Sequence, residues 1–490
     1  MSYSRRVFLN TFAQTFSRVI SILIGIVSVT LLTRYLGPAG YGQFSTALVF
    51  VSFLSVLGDL GVQSILVREL SQNPEHKEKI LGNVFIWRLF SAFLMFLVIV
   101  GVSRFMPYDG IVKLVIIIES ARSAISLFRA YFTAVPQWKM RLDLAAWGEI
   151  IGRVSYLVIL LLVVHFKLGL VALFGFMFIA YLSDLIFMYF SFKRIGGVVK
   201  LRLDPQFLKA FLKESIILGL ASILGTIHYQ IDTLILSVIK PAHDVGIYGA
   251  AYAVFGSLVV LPGIFLAAIF PRYSELAKSG KSWTEFFDFS LFLMWVAVLP
   301  LAFFTFLFAP YVIKVIGGSL FTQSVLPLQI LAFALIGGFV AAPFASMAIA
   351  LRKQKQVVFA TAVAVLVNVG LNLILIPRYT YVGAAIATLV SENVVFLTFL
   401  FLFYKLMRFK INFWLWLKAL LPLFLLVPFW FLIKYFLPLN AFSGQGLVMK
   451  FLEIGFVFVT SMALYLAMVL GFGLVPKKLF KEIIKPNVKA

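Results

Sequence analysis

Residues 80–103 read ILGNVFIWRLFSAFLMFLVIVGVS, an apolar run with a single charged side chain, Arg88. A helix of about 20–25 residues crosses a bilayer, so this run predicts one transmembrane helix. A membrane-spanning β-strand would need only about ten residues of alternating character, which argues against a barrel.

The whole chain shares this composition. Of its 490 residues, 62% are hydrophobic and 12% charged, whereas soluble domains are roughly 45–50% apolar and about 25% charged. This excludes a soluble enzyme, a disordered chain and a fibre, and it predicts an all-α polytopic membrane protein. The net charge of +23 would suggest nucleic acid in a soluble protein. Here we expect cytoplasmic loop charge and phosphate-binding charge, with no nucleic-acid partner.

Fourteen such runs follow one another along the chain. They fall at 7–33, 42–66, 80–103, 111–133, 147–165, 168–192, 212–238, 245–271, 287–309, 321–351, 355–376, 381–404, 412–435 and 448–472. With a cytoplasmic N-terminus, the inner loops hold about three times as many Lys and Arg as the outer loops. The pattern therefore predicts 14 transmembrane helices with both termini cytoplasmic.

Two short motifs occur twice, about 205 residues apart. PAGYG at 38–42 is echoed by Pro241 and GIYG at 246–249, and RELS at 68–71 by RYSEL at 272–276. An even number of helices per repeat gives both halves the same orientation, and hence a parallel pseudo-two-fold repeat. Chance is the alternative, because membrane-protein loops favour Gly, Tyr and Arg.

The repeat predicts four parts of the chain. They are an N-terminal six-helix lobe with a cationic cleft face (1–195), a cytoplasmic linker (196–211), a C-terminal six-helix lobe (212–405), and two additional transmembrane helices with a basic cytoplasmic tail (406–490).

Five arginines lie inside the predicted helices of the first half: Arg18, Arg88, Arg122, Arg129 and Arg153. A charge deep in a span costs about 2.5–3.5 kcal/mol on insertion scales and is therefore paired or functional. Guanidinium stays charged when desolvated and binds phosphate oxygens bidentately, so these residues are a candidate pyrophosphate-binding set. The alternative is that Glu119, Glu149, Asp59 and Asp184 neutralise them and pin helices together.

The second half carries a different set: Asp232, Glu392, Asn368, Asn372 and Thr388. Carboxylate, amide and hydroxyl oxygens suit a hard cation, and the acids could carry a proton instead. Interhelical hydrogen bonds worth about 1 kcal/mol each are the alternative. The chain has no cysteine and no nucleotide-binding or catalytic motif. We therefore expect a non-enzyme without cofactors, driven by Na⁺, H⁺, the membrane potential or the substrate gradient.

Three segments resemble a known family. LTRYLGPAGYG at 32–42, LGDLG at 57–61 and VRELS at 67–71 are similar to the opening of polysaccharide-transporter flippases of the Wzx type, within the multidrug/oligosaccharidyl-lipid/polysaccharide exporter superfamily. The resemblance implies two six-helix lobes plus two helices around a V-shaped cleft, in the plasma membrane. It implies alternating-access flipping of polyprenyl-pyrophosphate-linked oligosaccharide, in contact with membrane lipids and with polysaccharide polymerase machinery as a candidate partner.

The resemblance also implies residue roles. Arg18, Arg88 and Arg122 would hold the pyrophosphate. In related lipid II flippases a sodium site uses residues that Asp232, Asn368, Asn372 and Thr388 match in order, although Asn372 stands where an acid is expected. A lipid II flippase of cell-wall synthesis is the nearest alternative. A multidrug cation antiporter is disfavoured because its cleft is typically acidic.

Overall fold

The computed structural model describes residues 3–279, 283–407, 413–436 and 447–474, and this part of the chain is helical without any β-strand. The chain forms two compact units, residues 1–249 and 250–490. The prediction of an all-α protein is confirmed.

The first unit contains seven helices and the start of an eighth. They are α1 (Tyr3–Asp59), α2 (Val62–Gln72), α3 (Lys77–Phe105), α4 (Gly110–Trp138), α5 (Leu142–His165), α6 (Gly169–Arg194), α7 (Pro205–Ile239) and α8 (Ala242–Val259). Their shared core contains Tyr131 and Phe192, and the Tyr131 hydroxyl donates to the Leu81 carbonyl of α3 at 3.0 Å.

Helix α1 covers two predicted spans and is broken between them at Gly37, whose φ of 64° is left-handed. Pro38 follows and lacks the N–H that would continue the helix. The second predicted span extends to residue 66, but α1 ends at Asp59. Leu60 and Gly61 both adopt positive φ, so the chain turns there and restarts as the short amphipathic helix α2.

The two copies of the Gly-Tyr motif meet in the first unit. A Cβ built on Gly42 would lie 1.6 Å from the Ala242 carbonyl oxygen, and one built on Gly246 would lie 1.9 Å from the Pro38 carbonyl oxygen. Only hydrogen fits at either position, so these glycines allow α1 and α8 to cross in backbone contact.

The segment before α7 is fastened to the start of α3. Lys200 pairs with Glu78 at 2.8 Å and Asp204 with Lys79 at 2.6 Å, which lowers the pKa of the Asp204 carboxyl. Gly82 leaves room for the Lys200 carbonyl to approach. Of the linker predicted at 196–211, the residues from Pro205 onward are helical.

The second unit continues from α8 through seven further helices. They are α9 (Leu261–Ser279), α10 (Thr284–Gly317), α11 (Val325–Ala350), α12 (Gln354–Met407), α13 (Phe413–Lys418), α14 (Leu420–Phe436) and α15 (Leu447–Gly471). Helix α12 is broken at Thr380, where φ is 49°. The core is aromatic: the rings of Phe287 and Phe403 stack with centroids 5.3 Å apart, and Trp430 donates to Ser461 at 2.8 Å.

Ten helical stretches of the described residues are long and apolar enough to cross a membrane. Helix α4 is outside this set, and it carries four charged residues in 29: Lys113, Glu119, Arg122 and Arg129. These charges are spread along α4, whereas those of α3 lie mostly near its ends. The chain is therefore a multi-pass membrane protein.

We predict that Gly42→Ala lowers the free energy of unfolding by about 3 kcal/mol or more, because the added methyl group overlaps backbone atoms that cannot rotate away. Thermal unfolding of the purified protein in detergent measures this change. Gly25→Ala is the matched control, since a Cβ at Gly25 meets nothing within 4 Å. Equal unfolding midpoints for the two variants would contradict the crossing.

Candidate functional site

Arg88 of α3 is completely buried, with 0% of its surface exposed. It donates to Asp59 Oδ1 at 2.5 Å and to the Gly58 carbonyl at 3.3 Å. Both partners lie at the end of α1, just before the turn at Leu60. The pair therefore joins α3 to the point where α1 stops.

Arg122 and Glu119 form a pair within α4. The Arg122 Nε lies 2.7 Å from both Glu119 carboxylate oxygens, and the Glu119 side chain is 1% exposed. The guanidinium also lies over the Tyr181 ring of α6, 4.2 Å from its centroid. Glu119 was one of the carboxylates that the alternative interpretation offered, and its three-residue spacing suits the pair. The tyrosine partner was missed because it lies on another helix.

Arg129 pairs across helices rather than within its own. Its Nε donates to Asp184 Oδ2 of α6 at 2.7 Å. Asp184 in turn lies over two glycines of α5: a Cβ on Gly148 would come within 2.7 Å of Asp184 Oδ1, and one on Gly152 within 3.1 Å of its Cβ. The small residues of α5 therefore make space for the carboxylate that neutralises Arg129.

Arg153 of α5 is exposed and forms no ion pair with any side chain that the structure describes. Glu149, one turn away and its partner in the alternative interpretation, accepts hydrogen bonds from α1 instead: from Ser21 at 2.9 Å and Ser17 at 3.3 Å. Helical spacing allowed a Glu149–Arg153 pair, but the serines of a neighbouring helix hold the carboxylate.

Arg153 lies close enough to other polar groups of the first unit, Tyr156 and Asp184 among them, to interact with them electrostatically. It shares a helix face with Glu149, Tyr156 and the buried Leu160, at spacings of three or four residues. Tyr156 is within electrostatic range of Arg153, Glu119 and Tyr181. Arg153 therefore belongs to the same polar region as the Arg122 pair.

Arg18 lies on α1 between the two serines that bond to Glu149. Its backbone is therefore beside the same stretch of α5 as Arg153. The Arg18 side chain itself lies outside the described residues.

Asp232 belongs to the first unit, on α7, and is 1% exposed. Its Oδ2 accepts a hydrogen bond from the Tyr248 hydroxyl of α8 at 3.2 Å. Tyr248 is part of the second Gly-Tyr motif, so the motif that permits the helix crossing also supplies the partner of this acid.

The other candidates for ion coupling lie in the second unit and are buried there. Asn372 donates to Asn368 Oδ1 at 3.0 Å, and Asn368 donates to Ser391 at 3.1 Å. Thr388 donates to the Ala384 carbonyl at 3.1 Å. The chain Asn372–Asn368–Ser391 thus links the two parts of α12 on either side of its break.

Glu392 follows Ser391 and packs against two glycines of α11. A Cβ on Gly337 would lie 2.6 Å from the Glu392 carbonyl carbon, and one on Gly338 would lie 3.1 Å from Glu392 Oε2. Within the described residues there is no group of three or more His, Cys, Asp or Glu side chains that could hold a metal ion. At the Asn368 group a cation would meet neutral amide and hydroxyl oxygens, of which Asn368 Oδ1 and Ser391 Oγ already accept hydrogen bonds.

The sequence matches an established family over more than half its length. Residues 7–277 match the family described as "Polysaccharide biosynthesis protein". A Shigella flexneri protein named "Putative O-antigen transporter" is 24% identical over 400 residues, which cover 77% of this chain and 93% of that protein.

Solved structures share the fold. The lipid II flippase MurJ in an inward closed conformation has a TM-score of 0.71 at 17% identity, covering 98% of this chain and 100% of that one. An inward-facing multidrug resistance MATE family transporter of the MOP superfamily has a TM-score of 0.64 at 14% identity, covering 81% of this chain and 99% of that one. These proteins are named as transporters and flippases.

We predict strong energetic coupling between Arg122 and Glu119. Arg122→Gln and Glu119→Gln should each lower the free energy of unfolding by about 3–5 kcal/mol, because each leaves a buried charge without its partner. The double variant should lose much less than the sum of the two. Denaturant unfolding in detergent micelles measures all three variants.

The control is the same cycle at Arg141 and Asp143, whose side chains are 50% and 34% exposed and whose coupling should stay below about 1 kcal/mol. Additive losses at Arg122 and Glu119 would contradict the buried pair.

Proposed function

Because this chain belongs to the polysaccharide biosynthesis protein family, we propose that it is a flippase for polyprenyl-(pyro)phosphate-linked oligosaccharide. It would move this substrate from the cytoplasmic to the outer leaflet of the plasma membrane, for surface polysaccharide biosynthesis. The curated relative named as an O-antigen transporter supports this substrate class.

The proposal includes fourteen transmembrane helices with both termini cytoplasmic. Three of the ten apolar stretches exceed 50 residues, enough for two crossings: Ile20–Gln72, Thr284–Ala350 and Gln354–Lys405. If each of these three stretches crosses twice and the other seven cross once, the ten stretches make thirteen crossings. The helix α4, at 29 residues, is the fourteenth. The helix breaks at Gly37 and Thr380 support two of these divisions.

One observation supports the head-group site most directly: Arg153 forms no ion pair with a described side chain, whereas the other described arginines of the candidate set do. Arg88, Arg122 and Arg129 each have a carboxylate partner, so little of their charge remains for a ligand. An unpaired guanidinium can form two charge-assisted hydrogen bonds to a phosphate group. We assign to Arg153 the first contact with the phosphate. Arg122 and the partly exposed Arg129 would contribute to the positive electrostatic potential around it. Arg88 would hold α1 and α3 together.

The proposed mechanism is alternating access. The phosphate head binds at Arg153 while the site is open to the cytoplasm, and a conformational change then opens it to the other side. The polyprenyl tail stays in the lipid throughout, since moving it through a polar site would expose a long apolar chain to water. Lipid II carries the same pyrophosphate chemistry and is the alternative substrate. A cationic drug would be repelled by Arg153.

We propose in addition that a monovalent cation, Na⁺ or H⁺, couples to this movement at Asp232 and at the Asn368, Asn372, Thr388 and Glu392 group. Asp232 is a buried carboxyl group that accepts a hydrogen bond from the Tyr248 hydroxyl, and a buried carboxyl group can bind and release a cation. The buried amides of α12 would supply neutral oxygens.

We expect Arg153→Gln to reduce both head-group binding and transport by about 10- to 100-fold, the loss of a charge-assisted hydrogen bond worth roughly 1.5–3 kcal/mol. The measurement is translocation of a fluorescent polyprenyl-pyrophosphate oligosaccharide in proteoliposomes, with binding measured separately in detergent. Lys167→Gln is the control, because it removes an exposed charge beyond the end of the same helix.

If Arg153→Gln binds and transports the substrate as well as wild type does, the assignment of the site is overturned. Transport of lipid II, but of no oligosaccharide substrate, would overturn the substrate class instead.

We expect Asp232→Asn to keep head-group binding and to lose any acceleration of transport by an ion gradient, because the amide cannot change its charge. Transport is compared under an imposed Na⁺ gradient and an imposed pH gradient, which identifies the ion. Asp244→Asn, at a partly exposed acid on α8 bonded to His243, is the control. Equal acceleration of wild type and Asp232→Asn would overturn this role.

A further inference from the structure

A cavity of about 520 Å³ opens in the second unit, between the C-terminal end of α9 and the turn that joins α11 to α12. Its polar lining comes from Ser274, Lys278, Arg352 and Gln354. The volume falls within the range typical of small-molecule sites, roughly 300–1,000 Å³. None of the lining residues belongs to the arginine set of the first unit or to the polar group of α12 near Asn368.

The charge of this cavity is positive and not neutralised within the described residues. Lys278 and Arg352 are both exposed, and neither forms an ion pair with a side chain that the structure describes. The nearby carboxylate of Glu275 is held by Arg272 at 2.8 Å. Two free cations on opposite walls therefore face the same space, and this arrangement calls for an anion.

The backbone adds to this positive field. Arg352 adopts a left-handed φ of 57°, and the Lys353 N–H bonds to the Ala348 carbonyl at 2.7 Å. This tight turn leads directly into α12, which begins at Gln354. The first turn of a long helix presents N–H groups and a partial positive charge, which favour a phosphate group.

The remaining walls are apolar. Phe270, Ile349 and Leu351 line the cavity beside the polar residues, and Ile349 is 43% exposed. A free inorganic anion would gain nothing from these side chains. A ligand with a phosphate and an attached apolar body would use both kinds of wall.

The turn between α4 and α5 of the first unit provides a contrast. It has the same form, with Met140 at a φ of 54° followed by Arg141. There, however, Asp143 binds the guanidinium through two hydrogen bonds of 2.9 Å. A cation at such a turn can thus be neutralised within the chain. Arg352 stands at the left-handed position that Met140 occupies, one residue before the place of Arg141, and it forms no ion pair with a described side chain.

We propose that the cavity at Lys278 and Arg352 binds the phosphodiester headgroup of an anionic phospholipid from the inner leaflet. The predicted topology places both loops on the cytoplasmic side, where basic pockets between transmembrane helices recognise acidic lipids. The two cations and the Ser274 hydroxyl bind the phosphate, while Phe270 and Ile349 contact the start of the acyl chains. This lipid would be a resident of the second unit and not the transported substrate.

The test is native mass spectrometry of the full-length protein in detergent, titrated with phosphatidylglycerol. We expect wild type to retain one tightly bound phosphatidylglycerol. The double variant Lys278→Gln/Arg352→Gln should bind this lipid at least tenfold more weakly. The charge-conserving variant Lys278→Arg/Arg352→Lys should retain it. Arg141→Gln is the matched control and should bind as wild type does.

Size-exclusion elution of each variant establishes that it is folded before its lipid binding is compared. Equal retention of phosphatidylglycerol by wild type and the folded double variant would overturn the proposal. Equally tight binding of phosphatidylcholine would overturn its dependence on an anion. Displacement of the lipid by millimolar inorganic phosphate would identify a free phosphate site and overturn the lipid assignment.

Discussion

A buried arginine needs a carboxylate beside it, and this requirement organises the first unit. Arg88 is tied to the end of α1, Arg122 to its own helix and Arg129 to α6. Each pair removes a charge that would otherwise be costly in an apolar surrounding. The two interhelical pairs, Arg88–Asp59 and Arg129–Asp184, also determine which faces of α3, α4 and α6 point inward, since a helix rotated away would leave its charge without a partner.

Close backbone contact is the complementary constraint. Gly42 and Gly246 let α1 and α8 touch, and Gly148 and Gly152 give Asp184 the room it needs beside α5. Without a hydrophobic driving force between helices in lipid, packing of small residues and buried polar contacts carries much of the association. The glycines and the ion pairs therefore act together: the first bring helices close, and the second orient them.

Part of the site followed from spacing alone. Glu119 and Arg122 are three residues apart on one helix, and their pairing could be predicted from that distance. Arg88–Asp59 and Arg129–Asp184 join residues 29 and 55 positions apart. The sequence therefore indicated that carboxylates were present to balance the arginines, but it did not indicate which carboxylate pairs with which arginine. At Glu149, both Arg153 on the same helix and two serines of α1 could bind the carboxylate. The serines bind it because α1 packs close to α5, which the sequence does not show.

The sequence by itself determined that this is an all-helical membrane protein, because the length and apolarity of its runs depend on no tertiary contact. It also determined which ionisable residues lie inside those runs. The tertiary structure decided that Arg88, Arg122 and Arg129 are neutralised while Arg153 remains available, and it created the cationic cavity at Lys278 and Arg352. These outcomes depend on the rotation of each helix about its axis, which is set by side chains distant along the chain.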